Sequence, residues 1–390
     1  MKALAVVPQP FFTPRGTPIS VYYRTLVMAE LGVEIDLLTY GEGCEVEIPG
    51  VRIIRIPRFR FLGSVRPGPS ALKLFLDLVL VLRALPLLAG RRYDFVHAHE
   101  EAVFFFRALK PLFRFKLVYD MHSCLPQQLV NFEFTSSRLL VGLFRWLERV
   151  SLEGSDAVIT VCPELARSAA ERLQEPGRHF LIENTLFGEI RFPDHGSRIA
   201  GTEVSGVPDN QRPIVAYAGT FQPYQGIDLL IPAFARVRER RPDAFLLMVG
   251  GRPAQVERYR RMAIELGMDG HCLFTGMLDP TTARRYLRRA TVVVSPRDRG
   301  TNTPMKIYEH LANGIPLVAT RVVAHTQVLD DDICFLVDAD PDSLARGVLE
   351  ALDDEARRRE VVARARARYS SEYSRERYVE KMRHVLEVLS

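Results

Sequence analysis

Short apolar runs alternate with helical patterns along this chain, and that alternation restricts its fold more than any other feature. Lys2–Val7 (KALAVV), Ala157–Val161 (AVITV), Ile214–Ala218 (IVAYA) and Ile315–Ala319 (IPLVA) carry almost no polar residue. Runs like these suit strands covered on both faces, as in a parallel sheet. Parallel neighbours need a crossover, usually a helix. The pattern runs once, breaks over residues 191–212, a stretch of Pro, Gly, Ser and Asp without periodicity, and then restarts. The fold class implied is α/β: two doubly wound parallel-sheet domains facing a central cleft. The expected division is 1–190 for the first Rossmann-like domain and 191–212 for the linker. The second domain is then 213–370, with a C-terminal helix at 371–390. A chain of 390 residues has the length for two such domains.

Ser295–Thr320 (SPRDRGTNTPMKIYEHLANGIPLVAT) carries the clearest chemistry. It reads as strand, polar loop, helix from about Met305 to Ala312, and strand. In such units ligands bind beyond the carboxyl ends of the strands, here at the loop Arg297–Pro304. The start of the following helix suits an anion. Lys306 and Glu309, three residues apart, should be neighbours on its surface.

In the first half, the expected helices are Ile19–Leu31, Ala71–Leu88 and Arg138–Glu153. Val51–Ile56 reads as a hairpin-like piece, and Tyr93–Ala98 and Lys116–Tyr119 as strands. Arg15-Gly16-Thr17, at a strand-to-helix junction, is either a phosphate contact or a plain turn. His122 follows the strand Lys116–Tyr119 closely. It faces a ligand or caps the structure. His97, His99, Glu100 and Glu101 cluster in sequence, but their spacing matches no zinc pattern, and no metal is expected. Neither half has G-x-G-x-x-G, which argues against a dinucleotide.

Hydrophobic residues make up 47% and charged residues 25%, ordinary values for a globular protein. Five cysteines without a C-x-x-C pair suggest reduced thiols, neither zinc site nor disulfide framework. The N-terminus lacks the apolar length of a signal peptide. Ala71–Gly90 is interrupted by Lys73, Asp77, Arg83 and Pro86, short of a spanning helix. The expected location is therefore cytoplasmic. Within the net charge of +5, Arg58–Lys116 holds eleven Lys/Arg against four Asp/Glu, a local +7 interleaved with Leu, Phe and Val. Two readings stand: an ordinary solvated face over buried helices, or attachment to an anionic membrane surface on the inner face of the plasma membrane. No nucleic-acid motif accompanies the charge. Nothing here bears on oligomeric state.

The run from Pro304 to Thr320, PMKIYEHLANGIPLVAT, resembles the donor-sugar motif of glycosyltransferase family 4, whose fold is GT-B. The resemblance extends over nearly the whole chain. PFFTPRGTPIS resembles the family's glycine loop, with Gly16-Thr17 at the usual Gly-Gly. YDFVHAHE and LVYDMHS resemble two first-domain segments, the second giving His122 the role of the histidine beside the sugar. VAYAGTFQPYQGIDLLIPAF resembles the first loop of the second domain, and the tail resembles a helix crossing back to the first domain. The resemblance implies a metal-independent, retaining glycosyltransferase of hexosyltransferase type, with a nucleotide-diphosphate sugar as substrate and no cofactor. The acceptor is expected to be a glycolipid or polysaccharide of the cell envelope. It assigns His122 and Glu309 to catalysis, Glu309 on the ribose. It assigns donor contacts to Gly16, Thr17, Gly219, Thr220, Gln225, Arg252, Arg297, Thr301, Asn302, Thr303, Pro304, Met305 and Lys306.

Two departures stand out. The family usually carries Arg and Lys where this chain has Thr220 and Gln225, and a first motif glutamate where it has Thr301. A buried pyrophosphate needs cations. Lys306, Arg252, Arg297 and Arg299 are the candidates to replace them. A sugar-nucleotide 2-epimerase of the same fold, or a degenerate partner subunit that binds no nucleotide, are the alternatives.

Overall fold

The computed structural model describes every residue except 14–15, 60, 62, 64, 66–69, 125–136, 187–204 and 209–211. Arg15, Arg60 and most of the expected linker 191–212 therefore lie outside the described residues. The chain forms two compact units, Met1–Phe187 with Arg375–Ser390, and Gly188–Ser374.

The first unit holds a sheet of β1 (Lys2–Val7), β2 (Glu34–Thr39), β3 (Val51–Arg55), β4 (Phe95–His99), β5 (Lys116–Met121), β6 (Ala157–Thr160) and β7 (His179–Leu181). Their order is β3-β2-β1-β4-β5-β6-β7 and every pairing is parallel. The chain starts in the middle, builds one edge, then returns across β1 to build the other. Loops diverge where β1 meets β4, the place where doubly wound sheets bind ligands. Val51–Ile56 is not part of a hairpin. β3 runs parallel to β2 with Val51 opposite Ile35, so the segment between them is a crossover. The first helix is Gly16–Glu30, starting before the expected Ile19. Pro18 fits its first turn, where amides have no intrahelical partner. Gly16 and Thr17 thus belong to the helix start.

One sheet face packs Val96, Ala98, Leu117 and Tyr119 against Leu80, Ala84 and Phe106 of the helices Ala71–Gly90 and Ala102–Phe113. The second of these helices has no clear signal in the sequence, because a Phe-rich run with Pro111 inside fits neither template. The C-terminal helix Arg375–Leu389 belongs to this unit and buries Tyr378, Met382, Val385, Leu386 and Leu389. Each fully buried aliphatic side chain contributes about 1.5–3 kcal/mol. Lys116 Nζ ties down its end, donating to the Leu389 and Ser390 carbonyls at 2.8 Å each.

The second unit repeats the scheme with β8 (Ile214–Ala218), β9 (Phe245–Val249), β10 (Cys272–Gly276), β11 (Val292–Ser295), β12 (Leu317–Thr320) and β13 (Phe335–Val337). Their order is β10-β9-β8-β11-β12-β13, again parallel throughout. The switch falls between β8 and β11. Two glycines let the ligand-end loops close up. A Cβ on Gly226 (φ +71°) would sit 1.8 Å from the Pro296 carbonyl oxygen, and one on Gly250 (φ +121°) 2.0 Å from that of Gly219. The loops after β8, β9 and β11 therefore pack backbone on backbone. Among the described residues no helix is long and apolar enough to cross a membrane. All five cysteines are free thiols.

Candidate active site

In the second unit, the loop after β8 and the helix Met305–Asn313 meet at Lys306. Its Nζ lies 3.4 Å from both the Ala218 carbonyl oxygen and Gln225 Oε1, and 4.3 Å from the centre of the Tyr217 ring. Tyr217 is buried and its hydroxyl donates to the Thr220 carbonyl at 2.7 Å. Among the described residues Lys306 has no carboxylate partner. Burial, then the nearby Arg297 charge, pushes its pKa down to about 7. Glu309 is not its partner. Glu309 Oε1 instead accepts from Arg284 Nε at 2.6 Å, each side chain about a quarter exposed. The two neighbours on the helix surface turn to different groups.

Arg297 is the second half-buried cation here. It lies 5.1 Å from the Tyr224 ring centre and its Nη1 donates to the Asn302 carbonyl at 3.1 Å. It too lacks a carboxylate partner among the described residues, and burial lowers its pKa. Its Nε and the Thr303 hydroxyl are buried without hydrogen-bond partners in the described structure. The loop is braced from behind. The Thr320 hydroxyl donates to the Arg297 carbonyl, and His325 bridges the Thr320 carbonyl (Nδ1, 2.8 Å) and the Ser295 hydroxyl (Nε2, 3.0 Å). Thr301, Asn302, Pro304 and Met305 are half-buried along this turn, with Pro304 as N-cap and the Thr301 carbonyl accepting from Gln327 Nε2 at 2.7 Å.

The remaining residues divide. Gln225 is buried against Tyr217 and Lys306, whereas Gly219 and Thr220 are exposed. Of the four cations expected to replace the absent pair, Lys306 and Arg297 come together. Arg252 is exposed at the start of the helix Pro253–Glu265, and Arg299 is exposed beside Asp298 at 3.7 Å.

In the first unit, Gly16 is exposed and Thr17 half-buried at their helix start, while His122 belongs to a buried cluster. His97 and His99 alternate onto one face of β4, and His99 pairs with Asp120 of β5. Asp120 Oδ2 lies 2.9 Å from His97 Nε2, 3.3 Å from Arg24 Nε and 3.4 Å from His99 Nδ1; Oδ1 lies 3.3 Å from His122 Nε2. Burial alone would raise the Asp120 pKa, but Arg24 and the histidines hold it well below the carboxylate range. Burial lowers His122 to about 4, against the pull of Asp120, and lowers His99 strongly. Ligand atoms of His97, His99 and Asp120 lie within 4.8 Å of one another, close enough to share a metal ion. Arg24 already supplies a cation at the same carboxylate oxygen. The cluster reads as a self-compensated hydrogen-bonded group.

Sequence reasoning missed Arg24 and Asp120. A charged residue closing the apolar run LVYD, with an arginine on an otherwise buried helix face, was the available signal. It weighed Glu100 only as a metal ligand; the residue follows β4 in the left-handed region (φ 49°). Its carboxylate accepts from the Ser123 hydroxyl at 2.9 Å, and burial, then Glu101, raises it to about 8.

The profile of glycosyl transferases group 1 matches residues 203–368, and that of the glycosyl transferase 4-like domain matches residues 24–185. The chain belongs to glycosyltransferase family 4. Its fold is GT-B and its activity is glycosyl transfer. A D-inositol 3-phosphate glycosyltransferase of Corynebacterium efficiens is 27% identical over 85% of this chain and 80% of its own. A GDP-mannose-dependent alpha-(1-6)-phosphatidylinositol monomannoside mannosyltransferase of Mycolicibacterium smegmatis is 34% identical over 42% of this glycosyltransferase and 44% of its own length. Among solved structures, a sucrose-phosphate synthase from Thermosynechococcus elongatus shares the fold with a TM-score of 0.76. It is 21% identical and covers 99% of this chain and 98% of its own.

Proposed function

We propose that this glycosyltransferase moves a sugar, with retention of configuration, from a nucleotide-diphosphate sugar to a glycolipid or polysaccharide of the cell envelope. The observation that carries the donor reading is the pair of half-buried cations beside a helix start, Lys306 and Arg297, which have no carboxylate partner among the described residues. The leaving diphosphate develops negative charge, and fixed cations with helix amides stabilise it without a metal. Lys306 does this work in place of the absent Arg and Lys at Thr220 and Gln225. Thr303 and the backbone of Thr301, Asn302, Pro304 and Met305 line the same turn. Glu309, oriented by Arg284, accepts from the ribose hydroxyls. Taken by itself, the first unit offers two candidate contacts of its own, His122 for a sugar hydroxyl and the helix start at Gly16 and Thr17 for an anion. Gly219 leaves room for the donor, and Arg252 is an outer contact.

A membrane-borne acceptor is supported by the helix Ala71–Gly90, which is apolar on both sides. Leu76, Leu80, Ala84 and Leu88 face the core, while Leu74, Phe75, Leu78 and Leu82 are exposed. Arg58, Arg91 and Arg92 are exposed in the same basic segment. Apolar burial and attraction to anionic lipid then act together. Incubating the protein with UDP- and GDP-linked hexoses and phosphatidylglycerol vesicles carrying a glycolipid tests both parts. Transfer with the donor's anomeric configuration kept, and salt-sensitive sedimentation with the vesicles, are the expected results. Epimerised sugar without transfer overturns the transfer reading. Protein left in the supernatant at low salt overturns the membrane reading.

A further inference from the structure

Exposed apolar side chains gather on a second helix of the first unit, Arg138–Gly154. Val141, Glu148 and Leu152 are buried on one side of it. On the other side Leu139, Leu143 and Trp146 lie at i, i+4 and i+7, a single stripe along the helix, with Leu140 beside them. All four are exposed, Leu139 to 86% and Trp146 to 50%. A stripe of large apolar side chains in water marks a surface that something covers. The charges around it have one sign. Arg145 and Arg149 on this helix, Arg107 on Ala102–Phe113 and Arg83 on Ala71–Gly90 are exposed. Glu153 is the only exposed acid among the described residues of the three helices.

The three helices cover one face of the sheet. Leu76 and Leu80, Val103 and Phe106, and Leu152 pack into the same core there. Phe104 and Phe144 meet edge to face with ring centres 6.0 Å apart. Arg107 Nε donates to the Val150 carbonyl at 2.6 Å, and Lys110 Nζ to that of Gly154 at 3.0 Å. Lys73 pairs with Glu101 at the start of the middle helix. The exposed leucines of Ala71–Gly90 and the stripe of Arg138–Gly154 therefore flank the same outer surface.

We propose that the helix Arg138–Gly154 is a second element that enters an anionic lipid surface, with Trp146 and the leucines at the acyl boundary and Arg145 and Arg149 at the phosphates. The inference rests on the membrane reading above and adds a separate contact to it. The unit then lies against the bilayer on two helices. Tryptophan suits the headgroup boundary, where its ring is buried and its N–H stays wet. Arginine stems lie along apolar surface while the guanidinium reaches phosphate. A second copy of the chain fits this face poorly, because a two-fold interface sets a patch against itself and would bring arginine to arginine.

Trp146 is the chain's single tryptophan, so tryptophan fluorescence reads this helix alone. The test mixes the whole chain with phosphatidylcholine vesicles containing phosphatidylglycerol, and with matching vesicles brominated on the acyl chains. Emission should shift to the blue, iodide should quench it less, and the brominated vesicles should quench it strongly. High salt should weaken all three effects. Leu139→Ser with Leu143→Ser, both at exposed positions, should leave the melting temperature unchanged and weaken partition onto the vesicles about tenfold. Protein that sediments with the vesicles while Trp146 keeps its solution emission and iodide quenching overturns this inference and leaves the membrane reading to Ala71–Gly90. Protein that stays in the supernatant at low salt sinks both. An equal shift on vesicles without phosphatidylglycerol contradicts the choice of an anionic surface. A concentration-dependent shift without vesicles assigns the face to a second copy of the chain instead.

Discussion

The two units place charge at corresponding ends of their sheets in opposite ways. In the first, the buried arginine Arg24 faces the buried carboxylate Asp120, and three imidazoles complete the group. In the second, Lys306 and Arg297 meet carbonyls and aromatic rings but, among the described residues, no carboxylate. One region is compensated from within; the other, on the proposed reading, is left for an anion to compensate and is the one that binds.

Removing a cation should therefore have opposite effects in the two regions. Arg24→Met strands Asp120 as an uncompensated buried charge and should destabilise the protein by about 3–5 kcal/mol at neutral pH. Lys306→Met removes a cation that burial already disfavours, and should leave the ligand-free protein as stable or more so. Chemical denaturation of both variants measures this. Destabilisation of equal size in the two would erase the contrast.

On the ligand side, Lys306→Met should weaken UDP or GDP binding by about 1.5–3 kcal/mol, the range for a charge-assisted hydrogen bond. Uridine or guanosine should bind as before. Equal losses for nucleotide and nucleoside would mean that Lys306 does not meet phosphate.

The pH dependence follows from the same lysine. Its folded pKa of about 7 lies below the unfolded value of about 10.4. Between the two, the unfolded chain holds a proton that the folded chain has lost, so this group makes ligand-free stability rise with pH from about 7 to about 10. Lys306→Met should lack that part of the rise. Superimposable stability profiles for the two proteins would contradict it.

Glu309→Gln should have the smallest effect. The amide keeps one acceptor but loses the charge, and with it Arg284 loses its ion pair. Nucleotide affinity should fall about tenfold, about 1.4 kcal/mol, with little change in melting temperature. Unchanged affinity would remove Glu309 from the ribose.

The fold was legible because parallel strands leave a plain signature. The helix Met305–Asn313 falls where the sequence reading put it, since the polar loop before it and Gly314 after it mark both ends. Val51–Arg55 was misread because nothing local tells a strand returning parallel from one returning in a hairpin; only the register with β2 does. At the site, the loop Arg297–Pro304 and Lys306 were legible from their position after a strand. That Lys306 turns to Gln225 while Glu309 turns to Arg284 was not, because residues three apart on a helix share a surface without having to share a partner. Arg24 and Asp120 meet from positions 96 residues apart, a contact that the topology creates and no local pattern announces.

The most direct measurement is calorimetric titration of UDP and GDP at pH 8 in two buffers of different ionisation enthalpy. A diphosphate that restores the charge of Lys306 must draw a proton from solution. Net proton uptake by the wild-type protein, absent in Lys306→Met, is the result this account predicts. Binding without proton uptake that is indifferent to Lys306→Met, or no binding of either nucleotide, would contradict it.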